Sequence, residues 1–187
     1  MTMTKMTREQ WLTTVLHKHV APLLAAHGAT VPADCKVSVG FPGGGSARKR
    51  IGECWPRSRS SQGVNEIFLN PVMRTPFTLV DVLVHEAIHA ADDCKSGHKG
   101  FFRRVAKSVG LEGKMTATHA GAELAKWINE TLAAMPAFDY GSLTLDGAGK
   151  QKNRHMKLEC SACGAVWRMS NQWFQLATRC PCCGEDL

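Results

Sequence analysis

No apolar run in this chain approaches the roughly 20 residues that a membrane-spanning helix needs. The stretch Met1-Thr2-Met3-Thr4-Lys5-Met6-Thr7-Arg8 has no apolar centre, so it does not read as a secretory signal. Both absences point to a cytoplasmic protein. Aromatic residues are scarce, at 7%, and tyrosine occurs once, as Tyr140. No segment repeats, which excludes a solenoid. The glycine-rich Pro42-Gly43-Gly44-Gly45-Ser46 lacks the Gly-Lys-Ser/Thr ending of a phosphate loop, so no nucleotide site is read there. With 44% hydrophobic and 21% charged residues, the chain is not a wholly disordered one.

What the sequence does contain is cysteine, eight of them in 187 residues. In a reducing compartment a disulfide framework is not expected, and spaced cysteine pairs read as metal ligands. The length supports one well-cored domain with a small appendage. The formal charge of +7 favours an acidic or nucleic-acid partner without requiring one.

Thr7-Arg8-Glu9-Gln10 has the form of a capping box. Leu12, Val15, Leu16, Val20, Leu23 and Leu24 follow at helical spacing, with Pro22 expected to kink or break the helix and His27-Gly28 to end it. Val37–Phe41, Ile51–Trp55 and Val64–Leu69 are short and β-leaning, and predict a small antiparallel sheet. Thr75-Pro76 opens a helix through Ala91. Further helices are expected over Lys99–Val109 and from about Thr118 to Ala133. Pro136–Asn153 has no convincing period and reads as a linker. The expected organisation is therefore α+β, with a main domain over residues 1–135, a linker over 136–153 and a short cysteine-bearing unit over 154–187.

His85-Glu86-Ala87-Ile88-His89 fits H-E-x-x-H within that capped, apolar helix. Histidines at i and i+4 lie one turn apart on one face, so both imidazoles can reach a single zinc ion. Glu86, beside them, is placed to take a proton from zinc-bound water and deliver it to a leaving amine. Burying two histidines and a glutamate among Leu83, Val84, Ala87 and Ile88 is costly unless a metal satisfies them. A catalytic zinc needs a third protein ligand. His98 ranks first, with Gly97 expected to end the helix in a left-handed turn; Glu112 and Glu123 are the alternatives. The stabiliser of a carbonyl oxyanion is left open between Tyr140 and His119.

Cys160-Ser161-Ala162-Cys163-Gly164 and Cys180-Pro181-Cys182-Cys183-Gly184 form two knuckles whose metal-binding pairs are separated by 16 residues. The pattern reads as a closed, structural zinc site of Cys160, Cys163, Cys180 and Cys183, the glycine after each second cysteine favouring Cys183 over Cys182. Trp167, Trp173 and Phe174 are expected to form the core of this unit, with stacking on unpaired bases as the other reading. Basic residues cluster in three places: Arg48, Lys49, Arg50, Arg57 and Arg59 near the sheet; Lys99, Arg103 and Lys107 at helical spacing after His98; and Lys150, Lys152, Arg154 and Lys157 before the knuckles. The last two clusters are the candidate nucleic-acid contacts.

His85-Glu86-Ala87-Ile88-His89, eight residues, then His98-Lys99-Gly100-Phe101-Phe102 resembles the SprT-like metallopeptidases, which include the Spartan-type proteases that degrade proteins crosslinked to DNA. The likeness extends over most of residues 7–187, and the two-part layout looks most like bacterial or phage members, in a bacterial or phage-infected cytosol. It implies an α+β fold, one catalytic zinc on His85, His89 and His98, Glu86 as catalytic base, a structural zinc on the ribbon, a protein substrate, and single-stranded or damaged DNA as partner. The lysine directly after His98, with Gly100 one place later, departs from the usual small residue there. The competing functions are a non-catalytic DNA-binding zinc protein and a general peptidase independent of DNA.

Overall fold

The computed structural model describes residues 6–43, 50–144 and 155–186. The chain divides into two compact units, Met1–Leu145 and Asp146–Leu187.

The first unit opens with helix α1 (Arg8–Val15), closed at its start by the expected reciprocal cap: Gln10 N donates to Thr7 Oγ1 and Thr7 N donates to Gln10 Oε1. Pro22 does not end the helix. A π-helical turn, Leu16–Val20, joins α1 to α2 (Ala21–Ala26). Widening the turn accommodates a residue that has no N–H to donate and whose ring would meet the carbonyl four residues earlier. Trp11, Leu12, Val15, Leu16, Val20 and Leu24 all lie in the core.

Strands β1 (Lys36–Val39), β2 (Gly52–Trp55) and β3 (Glu66–Leu69) form a sheet in the order β1-β3-β2. The expected antiparallel sheet is in fact mixed, because β3 inserts between its predecessors and runs parallel to β1 but antiparallel to β2. This insertion puts β2 at an edge. Ile67 and Leu69 face inward with Gly52, against helix α3 (Pro76–Ala91), which Thr75 caps, while Val37 is buried on β1, which packs on α1. Helix α4 (Gly100–Ser108) buries Phe102, Val105 and Ala106.

Residues expected to begin a helix at Thr118 instead form a hairpin of β4 (Leu111–Lys114) and β5 (Ala117–Ala120), and helix α5 (Ala122–Ala134) starts after it. The hairpin is favoured by burying Leu111 opposite Ala120 beside the core.

The segment read as a linker packs onto the first unit over its described part. Trp11 Nε1 donates to the Pro136 carbonyl at 2.9 Å. The Phe138 ring meets Trp11 edge-on at 4.9 Å, and Tyr140 meets Phe138 at 4.8 Å. Leu143 N donates to Pro71 O at 2.9 Å.

The second unit holds β6 (Met156–Glu159) paired antiparallel with β7 (Val166–Met169), then helix α6 (Asn171–Leu176), with a cysteine knuckle before β7 and another after α6. No helix among the described residues is long and apolar enough to cross a membrane.

Phe138→Ala in the full chain is expected to lower the melting temperature of the first unit by about 2–6 °C, from roughly 1–2 kcal/mol of lost ring packing. An unchanged melting temperature by scanning fluorimetry would show that residues 136–144 do not brace this unit.

Candidate metal centre and cleft

His85 and His89 lie one turn apart on α3, and the turn after α3 returns His98 to them. His98 Nε2 is 3.3 Å from His85 Nε2 and 3.3 Å from His89 Nε2. One ring nitrogen carries either a proton or a lone pair, so His98 cannot make two ordinary hydrogen bonds along these lines. A shared cation resolves the conflict. Three nitrogens about 2.0–2.1 Å from a tetrahedral metal would be about 3.3–3.4 Å apart, and the observed spacing fits that requirement. His85, His89 and His98 are thus a group that could hold a metal ion. Glu112 is exposed on β4 and Glu123 is exposed in the first turn of α5, so neither joins the group.

The electrostatics agree with a cation site. Burial, then the neighbouring histidines, push His85 down to about 3. Burial and His98 push His89 down to about 4, and burial lowers His98. All three are neutral near pH 7, with lone pairs free for a ligand bond. Thr118 Oγ1 lies 2.7 Å from His85 Nδ1. A proton on Nδ1, donated to that hydroxyl, leaves Nε2 as the lone-pair nitrogen. Phe102, fully buried, stacks on the His89 ring at 4.4 Å and meets His85 and His98 edge-on at 4.7 and 5.1 Å.

Gly97, directly before His98, is left-handed as the sequence suggests, at φ 52°, but the helix has already ended before it: Asp93 at φ 56° and Cys94 at φ 60° are the first left-handed residues after α3. Cys94 N donates to His89 O and Asp93 N to Ala90 O, closing the helix end. Asp93 Oδ1 accepts from Arg57 N at 2.8 Å and from Asn65 Nδ2 at 3.0 Å. These bonds hold a conformation unfavourable for a residue with a Cβ.

Beside the histidines a cleft of about 700 Å³ is lined by β2, α3, the turn carrying His98 and the hairpin residues Thr116, Ala117 and Thr118. Glu86 faces it, only 7% exposed. Burial, and then Glu53, raise its carboxyl to about 8, against the opposing pull of Arg50 and the Cys54 N–H. Gly52 is the close-approach point: a Cβ there would lie 2.5 Å from Val82 Cγ1 and 2.6 Å from Glu86 Oε1. A glycine inside a β-leaning run signals such an approach; Gly52, Glu53 and Thr118 were not singled out by sequence reasoning. Tyr140 and His119 do not line the cleft. The Tyr140 hydroxyl donates to the Met6 carbonyl.

In the second unit, Cys160, Cys163, Cys180 and Cys183 converge, with Cys160–Cys183 at 3.7 Å and Cys163–Cys180 at 3.6 Å. Tetrahedral zinc–sulfur bonds of about 2.3 Å would set sulfurs about 3.7–3.8 Å apart. Cys182 N and Cys183 N both point at Cys180 Sγ, at 3.4 Å. The unit is not built round its aromatics: Trp173 is 65% exposed, and Trp167 and Phe174 are half-buried. Cys160 and Cys180 occupy the centre instead.

Among the basic residues, Lys99, Arg103 and Lys107 are exposed along α4. Lys157 is exposed but pairs with Glu159 at 2.6 Å. Arg57 is forked onto Asp34 at 2.6 and 3.1 Å. Lys150, Lys152 and Arg154, like Arg48 and Lys49, lie outside the described residues.

Gly52→Ala is expected to cost about 1–3 kcal/mol by urea denaturation, because the new methyl must displace Val82 or Glu86, while leaving the metal content of the histidine site unchanged. Metal analysis of the wild type is expected to find both groups loaded, and Cys160→Ser with Cys163→Ser to lose the cysteine-bound metal alone. Loss of both metals from the cysteine variant would mean that the sites are not independent.

Comparison of the chain with protein-family models, with curated proteins and with solved structures finds no match.

Proposed function

We propose that this chain is a zinc-dependent endopeptidase acting on DNA-bound or DNA-crosslinked proteins, in the manner of the SprT-like group that its motifs resemble. The observation that carries the reading is the convergence of three neutral imidazole nitrogens beside the buried Glu86 carboxyl group, in the lining of an open cleft. Three protein ligands leave a coordination position open, the arrangement of catalytic rather than structural zinc. When bound, zinc supplies Lewis acidity, polarising a carbonyl and acidifying water.

The chain's own residues then have distinct tasks. His85, His89 and His98 hold the ion, with Thr118 fixing the His85 tautomer. Glu86, its ionised form favoured by a cation on the histidines, accepts a proton on its carboxylate and passes it to the leaving amine nitrogen. Among the described residues β2 is paired only to β3, and Gly52, Glu53 and Cys54 from it line the cleft. An extended peptide can lie alongside such an edge. Gly43, Gly52, Gly97 and Ala117 keep the walls low.

Association with DNA is supported by the exposed stripe of Lys99, Arg103 and Lys107 on α4. The exposed indole of Trp173 supports it too, since a base can stack there. A peptidase independent of DNA is the second reading, favoured by the internal pairing of Arg57 with Asp34 and Lys157 with Glu159.

Glu86→Gln is expected to keep its zinc and lose cleavage of a DNA-binding protein; loss of the metal would overturn the division of roles. Cleavage by wild type that rises with single-stranded DNA supports the DNA-coupled reading, and DNA-independent cleavage supports the second. Reversing the charges of Lys99, Arg103 and Lys107 is expected to weaken DNA binding and to flatten its dependence on log salt by about 2, at about 0.7 per lost phosphate contact. An unchanged salt slope would remove α4 from the DNA interface.

A further inference from the structure

Peptide hydrolysis needs a group that the residues assigned so far do not include. As water oxygen bonds to the carbonyl carbon, the carbonyl π pair moves onto oxygen and a negative charge develops there. That charge is best met by a donor fixed in place beforehand. Glu86 cannot serve, since it takes the water proton, and both residues suggested by the sequence lie outside the cleft.

Arg50 is the one lysine or arginine among the described residues lining the cleft. Its backbone is anchored, because Asn70 Nδ2 donates to the Arg50 carbonyl at 2.9 Å and Asn70 N donates to the Ile51 carbonyl at 2.9 Å. Asn70 is itself 1% exposed. The guanidinium is also held: Arg50 Nη1 donates to Glu53 Oε1. Glu53 in turn is a rigid cradle, its Oε2 accepting from Gly43 N at 2.7 Å and from Trp55 Nε1 at 3.1 Å. The Glu53 side chain is 14% exposed whereas that of Arg50 is 52% exposed, so the anchor is covered and the cation is open. Gly52, between the two, abuts Glu86 Oε1. A guanidinium has five donors in a planar fork and can bind Glu53 while presenting others to a ligand.

We propose that Arg50, positioned by Glu53 and Asn70, is a catalytic residue that donates to the scissile carbonyl oxygen as it becomes an oxyanion. This rests on the peptidase reading. When the C–N bond breaks, its electron pair goes to nitrogen, which takes the proton carried by Glu86. The oxyanion pair returns to re-form C=O, and Arg50 ends the cycle unchanged.

The test compares wild type, Arg50→Met and Arg50→Ala on an unfolded protein substrate, fluorescein-labelled casein, and on a quenched-fluorescent peptide drawn from a cleaved sequence, with single-stranded DNA present. Arg50→Met is expected to lose about a hundredfold or more in kcat while KM stays within about threefold. Free guanidine is expected to restore at least about tenfold of the Arg50→Ala loss, which a damaged fold would not allow. Calorimetry gives a readout without turnover. A phosphinic peptide, whose tetrahedral anion mimics the oxyanion, is expected to bind Arg50→Met about a hundredfold more weakly. On a Glu86→Gln background the matched amide peptide should bind the two forms within about threefold. Unchanged kcat, or a loss confined to amide-peptide binding, overturns the oxyanion role. Wild type without any cleavage sinks the peptidase reading and this proposal with it, whereas active wild type with active Arg50→Met sinks this proposal alone.

Discussion

Three imidazole nitrogens directed at one point make demands that the surrounding structure is built to meet. Two of them come from a single helical face and need nothing beyond α3. The third must be returned from a chain that has just left the helix. That return uses two consecutive left-handed residues that are not glycine, Asp93 and Cys94. Conformations of this kind cost on the order of 1–3 kcal/mol each and persist only where neighbours over-determine them. Here Asp93 Oδ1 is gripped by Arg57 N and by Asn65, a fully buried residue beside β3. Asp92 Oδ2 takes Ser96 N, and Ser96 Oγ takes Phe102 N, so the turn is also stitched to the start of α4. The position of His98 is therefore a property of the sheet and of α4 as much as of its own loop.

The same dependence explains what could be read in the sequence. That His85 and His89 come together was legible because helical period alone puts positions i and i+4 on one face. The cysteine pairs were legible because a knuckle is a local turn. The capping box at Thr7 and the Thr75-Pro76 start were legible for the same reason. What escaped were relations between distant segments. Nothing local in Lys36–Val39 says that its partner is β3, so the sheet was expected to be antiparallel when it is mixed. The hairpin over residues 111–120 has little alternation of apolar and polar residues, and it gains its stability from burying Leu111. Thr118, which fixes His85, was hidden with it. The residues from Pro136 to Thr144 lack any period because they are extended chain held by scattered contacts, among them those to Trp11, Met6, Arg8 and Pro71.

Placing β2 at the sheet edge has a consequence for charge. Gly52 lets Glu86 press against the strand, and Glu53 holds Arg50 at the rim of the cleft. Two acidic side chains, Glu53 and Glu86, thus lie next to Gly52, and the Arg50 guanidinium is bonded to the first of them. Burial, and then the repulsion of Glu53, oppose ionisation of Glu86, while Arg50 and the Cys54 N–H favour it. A cation at the histidines would favour the carboxylate further. The state of the Glu86 carboxyl is therefore set by burial and by its neighbours on β2, and the histidine helix alone does not account for its surroundings.

The second unit illustrates the opposite way of making a small structure. Its buried residues among those described are Cys160 and Cys180, and its aromatic side chains are left half-buried or exposed. So little apolar burial cannot offset the entropy of ordering such a segment. Four converging thiols can, because metal binding to them is itself folding free energy. The backbone N–H groups of Cys182 and Cys183 directed at Cys180 Sγ favour a thiolate there, which is the form a metal requires. A unit with four cysteines at its centre that could hold a metal ion would not need its tryptophans for a core. Trp173 can then remain at the surface without loss of stability, on a short helix whose described residues are all exposed or half-buried.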